Sequence, residues 1–86
     1  MARVLMYCTA ACPFCQSAER LLAAKGAAID KVRVDLEPAR RAEMTKKSGR
    51  STVPQIWIGS RHIGGCDDLY ALDAEGGLDP LLKATA

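Results

Sequence analysis

Apolar residues recur along this chain with changing period, and the changes mark out its elements. The run Val4-Leu5-Met6-Tyr7, within residues 3–8, has the continuity of a buried strand. Across residues 13–25, Ala18, Leu21, Leu22 and Lys25 fall at helical spacing, and Gly26 is placed to stop a helix. Lys31-Val32-Arg33-Val34-Asp35 alternates polar and apolar, the period of a half-buried strand. Pro38 opens a second helix running to about Lys47, with Ala42 and Met44 facing inward and Ser48-Gly49 ending it. Gln55-Ile56-Trp57-Ile58 and Arg61-His62-Ile63-Gly64 flank a two-residue Gly59-Ser60 turn and read as a hairpin. A helix follows from Asp67 to Asp73, with Leu69 and Leu72 as its apolar contacts and Gly76-Gly77 as its end. Asp79 as N-cap and Pro80 at the first position start a short last helix, after which residues 83–86 are expected to fray.

The predicted order is β-α-β-α-β-β-α plus a terminal helix. The first strand, helix and strand form a right-handed crossover with parallel strands, and the hairpin adds an antiparallel pair. A mixed four-stranded sheet flanked by helices is therefore expected, an α/β architecture of thioredoxin-like arrangement. At 86 residues the chain is one domain, residues 1–86, without repeats or linkers. A composition of 49% hydrophobic and 26% charged residues is that of a soluble globular protein. No apolar stretch approaches the roughly 20 residues of a membrane span, and no export signal opens the chain, so a cytoplasmic protein is expected. The net charge of +2 is too small to argue for nucleic acid. Its distribution is uneven, with seven basic and three acidic residues from Lys31 to Arg50. A basic middle suits an anionic small ligand, and it equally suits a solvated helix face.

The candidate chemistry lies at Cys12-Pro13-Phe14-Cys15, between the first strand and the first helix. Pro13 suits the first helical position, which puts Cys12 at the N-cap, facing free backbone donors and the positive end of the helix dipole. A thiolate is stabilised there, and the thiolate is the reactive form. Cys15 lies one turn on, where it can attack a mixed disulfide formed at Cys12. Strand, CxxC and helix in this order point to thiol–disulfide exchange. Two further segments are weak singly: Thr52-Val53-Pro54 before the third strand, and Gly64-Gly65-Cys66-Asp67-Asp68 at a helix start. Proline is tolerated at a strand's first residue, and glycines followed by an acidic cap make an ordinary turn. The second segment also has the free N–H groups of an anion site.

Taken together, these segments resemble a glutaredoxin of the bacterial dithiol class, glutaredoxin 3 type, from about Arg3 to Lys83. The likeness also rests on Ser48-Gly49-Arg50-Ser51 before Thr52, and on the ending Gly76-Gly77-Leu78-Asp79-Pro80-Leu81-Leu82. It implies a glutathione-dependent oxidoreductase that reduces protein disulfides and glutathione mixed disulfides. Cys12 would be the nucleophile and Cys15 the resolving thiol. Glutathione would be the co-substrate, lying against Phe14, Thr52, Val53, Pro54, Gly65, Cys66 and Asp67. Pro54 would be cis, the Val53 backbone would pair with the glutathione cysteinyl unit, and Arg41 would hold its glycine carboxylate. The Cys66 and Asp67 N–H groups, with the Asp67 side chain, would take the γ-glutamyl end. Expected partners are glutathione and disulfide-bearing or glutathionylated proteins; neither nucleic acid, membrane nor metal is expected, and the protein should be a monomer. An alternative in the same family is a glutathione-ligated [2Fe–2S] carrier, against which Pro13 argues, because cluster-binding members usually carry a small residue there.

Two departures stand out. Phe14 replaces the usual tyrosine, keeping the ring and losing a hydroxyl. Thr9 stands where glutaredoxins commonly carry a lysine, and Ala10 and Ala11 supply no substitute, so the Cys12 thiolate is expected to lean on the helix N-terminus. Cys8 is expected as a buried weak hydrophobe. Its C-x3-C-x2-C spacing with Cys12 and Cys15 lacks a fourth ligand for zinc. Cys66 matters for its backbone more than for its sulfur. His62 is expected on the surface of the hairpin, and Trp57 and Tyr70 in the core or on the hairpin face.

Overall fold

In the computed structural model, which describes residues 3–83, the eight elements follow in the expected order. They are β1 (Val4–Cys8), α1 (Pro13–Ala24), β2 (Ile29–Arg33), α2 (Pro38–Ser48), β3 (Gln55–Ile58), β4 (Arg61–Gly64), α3 (Cys66–Ala74) and α4 (Leu78–Lys83). The fraying expected of the last residues falls largely at 84–86, outside the described residues. The strands form one mixed sheet in the order β2-β1-β3-β4. β1 runs parallel to β2 and antiparallel to β3, and β3 pairs antiparallel with β4. The two most apolar strands thus lie at the centre, where both faces are covered.

Alternation along β1 feeds two cores. Val4, Met6 and Cys8 join Cys15, Ala18 and Leu22 of α1, Ile56 and Ile58 of β3, and Leu69, Leu78 and Leu82 of α3 and α4. On the other face Tyr7 and Trp57 meet Val34 and Met44 under α2. Each fully buried aliphatic side chain contributes about 1.5–3 kcal/mol, so the first face carries most of the hydrophobic stabilisation.

Several boundaries differ from the sequence pattern. β2 begins at Ile29 instead of Lys31, because its register with β1 runs from Val4↔Ile29 to Cys8↔Arg33. Val34 has left the ladder, yet its N–H still donates to the Cys8 carbonyl at 3.0 Å and its side chain is buried under α2. Alternation read the burial of Val34 correctly and the end of the strand wrongly. Ala42 is exposed, since α2 meets the sheet through Met44, the one buried residue of that helix. α3 starts at Cys66, with Gly65 as its N-cap. Asp79 lies in the first turn of α4 instead of capping it: burial of Leu78 draws the helix start inward, and the Lys25 ammonium takes Asp79 at 2.8 Å and Asp73 at 2.9 Å. Tyr70 is exposed, and its hydroxyl donates to the Ser17 carbonyl at 3.1 Å. Among the described residues no helix is long and apolar enough to cross a membrane.

Gly64 joins β4 to α3 at φ 117°, a backbone region side chains rarely adopt, and a Cβ there would collide with the Asp68 carboxylate. This tight junction brings the start of α3 beside the Val53–Pro54 turn: a Cβ on Gly65 would lie 3.4 Å from the Pro54 carbonyl oxygen.

Candidate active site

Cys12 has extended backbone angles at the N-cap of α1, with Pro13 following, and its sulfur accepts the Cys15 N–H at 3.4 Å. One of the unpaired donors at the helix start is thereby aimed at the sulfur. From the other side the Cys12 thiol reaches the Val53 carbonyl at 3.8 Å. The Val53–Pro54 peptide bond is cis, as expected, and Val53 packs against both cores. The loop carrying Val53 thus sits where the two layers meet, against the half-buried Cys12.

The second cysteine of the pair is built differently. Cys15 is buried in the α1 core, and burial, then hydrogen bonding with Cys12, pushes its thiol up to about 12, although the Thr9 N–H works the other way. Cys8 is buried on the same sheet face, as its place in β1 requires. Burial raises its thiol too, while Lys31 and Arg33 pull it back. The Cys66 thiol is raised by burial and then by the neighbouring Asp67 carboxylate. Of the four cysteines only Cys12 combines partial exposure with helix-terminal donors.

A cleft of about 210 Å³ opens between the Val53–Pro54 turn and the start of α3. Seven of the eight residues expected to contact glutathione line it: Phe14, Thr52, Val53, Pro54, Gly65, Cys66 and Asp67. Phe14 is 61% exposed, so its ring stands free at the rim. Arg41 is not among the lining residues; its guanidinium donates to the Ser51 carbonyl at 2.9 Å, one residue before the cleft wall.

Three lining residues were given no site role from the sequence: Arg50, Gln55 and Asp68. Asp68 accepts the Gly65 N–H at 2.9 Å, capping α3, and pairs with Arg50 at the same distance. Those two interactions hold its carboxyl below the usual range, the cap being the larger. The Gly-to-Asp spacing of a capping residue was a legible signal for Asp68; Arg50 and Gln55 stood only within the family-like segment around Thr52-Val53-Pro54, with no role of their own.

The segment before Cys12 lacks a cation, as its sequence implies. Instead the Ala10 N–H donates to Asp35 at 3.3 Å, and Arg33 grips the same carboxylate at 2.8 and 2.6 Å. That grip holds the Asp35 carboxyl down at about 2. Arg33 is thus spent on Asp35, and Lys31 on Glu19 at 2.7 Å. Among the described residues no group of three or more His, Cys, Asp or Glu side chains is arranged to hold a metal.

Comparison with known proteins places this geometry. The glutaredoxin family model matches residues 4–63. Glutaredoxin 3 of Escherichia coli K12 is 58% identical over 83 residues, covering 96% of this chain and all of the relative. The solution structure of glutaredoxin from Brucella melitensis superposes with a TM-score of 0.85 at 54% identity, covering 96% of this chain and 90% of that one. A crystal structure of a buckwheat glutaredoxin–glutathione complex superposes with a TM-score of 0.86 at 30% identity, covering 92% and 74%.

Proposed function

The chain belongs to the glutaredoxin family, and we propose that its glutathione lies in the cleft beside Cys12. The protein is a glutathione-dependent thiol–disulfide oxidoreductase with Cys12 and Cys15 as its active-site pair. The observation that supports the placement is the contact of the Cys12 sulfur with the carbonyl of Val53, a residue of the cleft wall, at 3.8 Å; Cys12 itself lies behind that wall and not in the lining.

With a glutathionylated protein, the Cys12 thiolate attacks the glutathione sulfur. A Cys12–glutathione disulfide forms, the protein–glutathione disulfide breaks, and the protein leaves as a thiolate that takes up a proton. A second glutathione thiolate then attacks the glutathione sulfur bound to Cys12, giving oxidised glutathione and free Cys12. With a protein disulfide, Cys12 forms a mixed disulfide with the substrate. Cys15 gives up its proton and attacks the Cys12 sulfur, releasing the reduced protein and leaving a Cys12–Cys15 disulfide. Two glutathiones return that disulfide to the dithiol.

In this reading the cysteinyl unit of glutathione pairs with the Val53 backbone, and Thr52 and Pro54 shape the wall. The γ-glutamyl carboxylate takes the Cys66 and Asp67 N–H groups at the start of α3, and the Asp67 carboxylate takes the ammonium. Arg41 keeps donors beyond the one given to Ser51, and these serve the glycine carboxylate. Phe14 covers the outer side of the cleft. A cytoplasmic monomer acting on glutathionylated and disulfide-bearing proteins completes the proposal, because a glutathione-buffered compartment keeps its thiols reduced.

Cys15→Ser separates the two reactions. Turnover of a glutathionylated peptide should stay within about twofold of wild type, since that cycle uses Cys12 alone. Turnover of a protein disulfide that needs the dithiol should fall at least about tenfold, the loss of one resolving nucleophile. Loss of both activities would overturn the division of labour.

A further inference from the structure

Gln55 is the one buried polar side chain among the described residues, 1% exposed at the start of β3, and its contacts run toward the cleft. Its amide nitrogen donates to the Thr52 carbonyl at 3.1 Å and approaches the Thr52 hydroxyl at 3.4 Å. Its amide oxygen lies 2.8 Å from the His62 Nε2. A carbonyl oxygen can only accept, so the end of Gln55 facing Thr52 must be the NH2 end. The oxygen then faces His62, which fixes Nε2 as the protonated nitrogen of that ring. His62 is in turn held against Trp57, with ring centroids 4.5 Å apart, and Trp57 is braced by Tyr7 at 5.4 Å and the Lys47 ammonium at 4.7 Å.

A directed chain of contacts therefore leads from the aromatic core under α2, through His62 and Gln55, to Thr52. Val53, whose backbone faces Cys12, is the next residue. Thr52 is exposed, and Gln55 provides its side-chain anchor. We propose that Gln55 and His62 are positioning residues for glutathione: they hold the Thr52–Val53 backbone at the distance from Cys12 that the bound cysteinyl unit requires. The proposal rests on the placement of glutathione in the cleft. Neither residue acts on the reacting sulfurs; each acts through the loop. The hold is directional, because turning the Gln55 amide over would set its oxygen against the Thr52 carbonyl.

His62→Phe keeps a ring on Trp57 and removes the donor, and His62→Gln supplies an amide donor in its place. Turnover is measured on one peptide carrying a mixed disulfide either with glutathione or with cysteamine, which lacks both the γ-glutamyl and glycine units. For His62→Phe, KM for the glutathionylated peptide should rise about five- to tenfold, the worth of one buried hydrogen bond. Its kcat should stay within about twofold, and the cysteamine peptide should be unaffected. His62→Gln should recover most of the loss. Equal losses on both peptides, an unchanged KM, or no recovery with His62→Gln would each overturn the proposal.

The amide resonances of Thr52 and Val53 in the free protein give a second readout that needs no glutathione. They should shift in His62→Phe and return in His62→Gln, and fixed resonances would overturn the positioning role. Gln55→Met, close in volume and without hydrogen bonds, should reproduce the His62→Phe shifts if that variant does not fold. A wild type with no preference for the glutathionylated peptide would instead overturn the placement of glutathione itself, while the resonances still report on the loop.

Discussion

On the sheet face covered by α1, α3 and α4, every buried side chain is aliphatic or carries sulfur, whereas the face under α2 is held by two rings, a methionine, a valine and a set of directed polar contacts. The first face places thiols by excluding water around them. It needs no direction: Cys8 and Cys15 sit there as small apolar groups, and their acidity is suppressed as a result. The second face places a loop, which requires direction. Tyr7 donates to Glu43 at 2.5 Å, Lys47 covers Trp57, and His62 and Gln55 carry the arrangement to Thr52. Packing sets the reactivity of the thiols, and hydrogen bonds set the place of the wall opposite Cys12.

The contrast can be broken by mutation, starting with the largest effect. Leu22→Ala empties the centre of the first face, where Leu22 is fully buried, and should cost about 3 kcal/mol of stability in urea unfolding. A loss under about 1 kcal/mol would mean that this face is not the main hydrophobic store. Tyr7→Phe keeps the ring on the second face and deletes its hydrogen bond to Glu43, so it should cost only about 1 kcal/mol.

The same residue sharpens the comparison through pH. Burial, with the Glu43 carboxylate next, pushes the Tyr7 phenol from 10.0 up to about 12. The folded state therefore favours the protonated phenol, and this contribution is fully present below pH 10 and lost as the pH climbs toward 12. Unfolding midpoints followed from pH 9 to pH 12 should fall more steeply in wild type than in Tyr7→Phe. Parallel curves would remove Tyr7 from the account.

The smallest expected effect is at Thr9, beside the active site. Thr9→Lys should speed alkylation of Cys12 by iodoacetamide at neutral pH about two- to fivefold, as one partly exposed charge near the thiolate. About 0.5 M salt should erase much of that gain. An unchanged rate at low salt would show that the helix N-terminus already does all that a lysine could do.

Features governed by local periodicity or by residue type at a helix start were legible in the chain. The N-cap role of Cys12 followed from Pro13, and the hairpin from Gly59-Ser60. β2 was displaced by two residues because it is an edge strand with both faces partly exposed, so its alternation does not fix its register. Resemblance, more than spacing, brought Thr52, Val53, Pro54, Cys66 and Asp67 to one cleft. Gln55 and His62 stayed hidden, because a buried amide looks like any strand residue until its partners are known. Arg41 was legible as part of a basic cluster, but which of its neighbours it would hold depended on the fold of residues 50–52.

Cys15 has a further consequence through the causes that keep it protonated. Burial, the largest of them, does not depend on Cys12, whereas hydrogen bonding with Cys12 and its electrostatic influence require a Cys12 that carries no substrate. In the proposed cycle, joining Cys12 to a substrate sulfur removes those two causes and leaves burial opposed by the Thr9 N–H. Within the proposed cycle the pair is thus partly interlocked: consumption of the first thiol lifts part of what restrains the second, without a moving part.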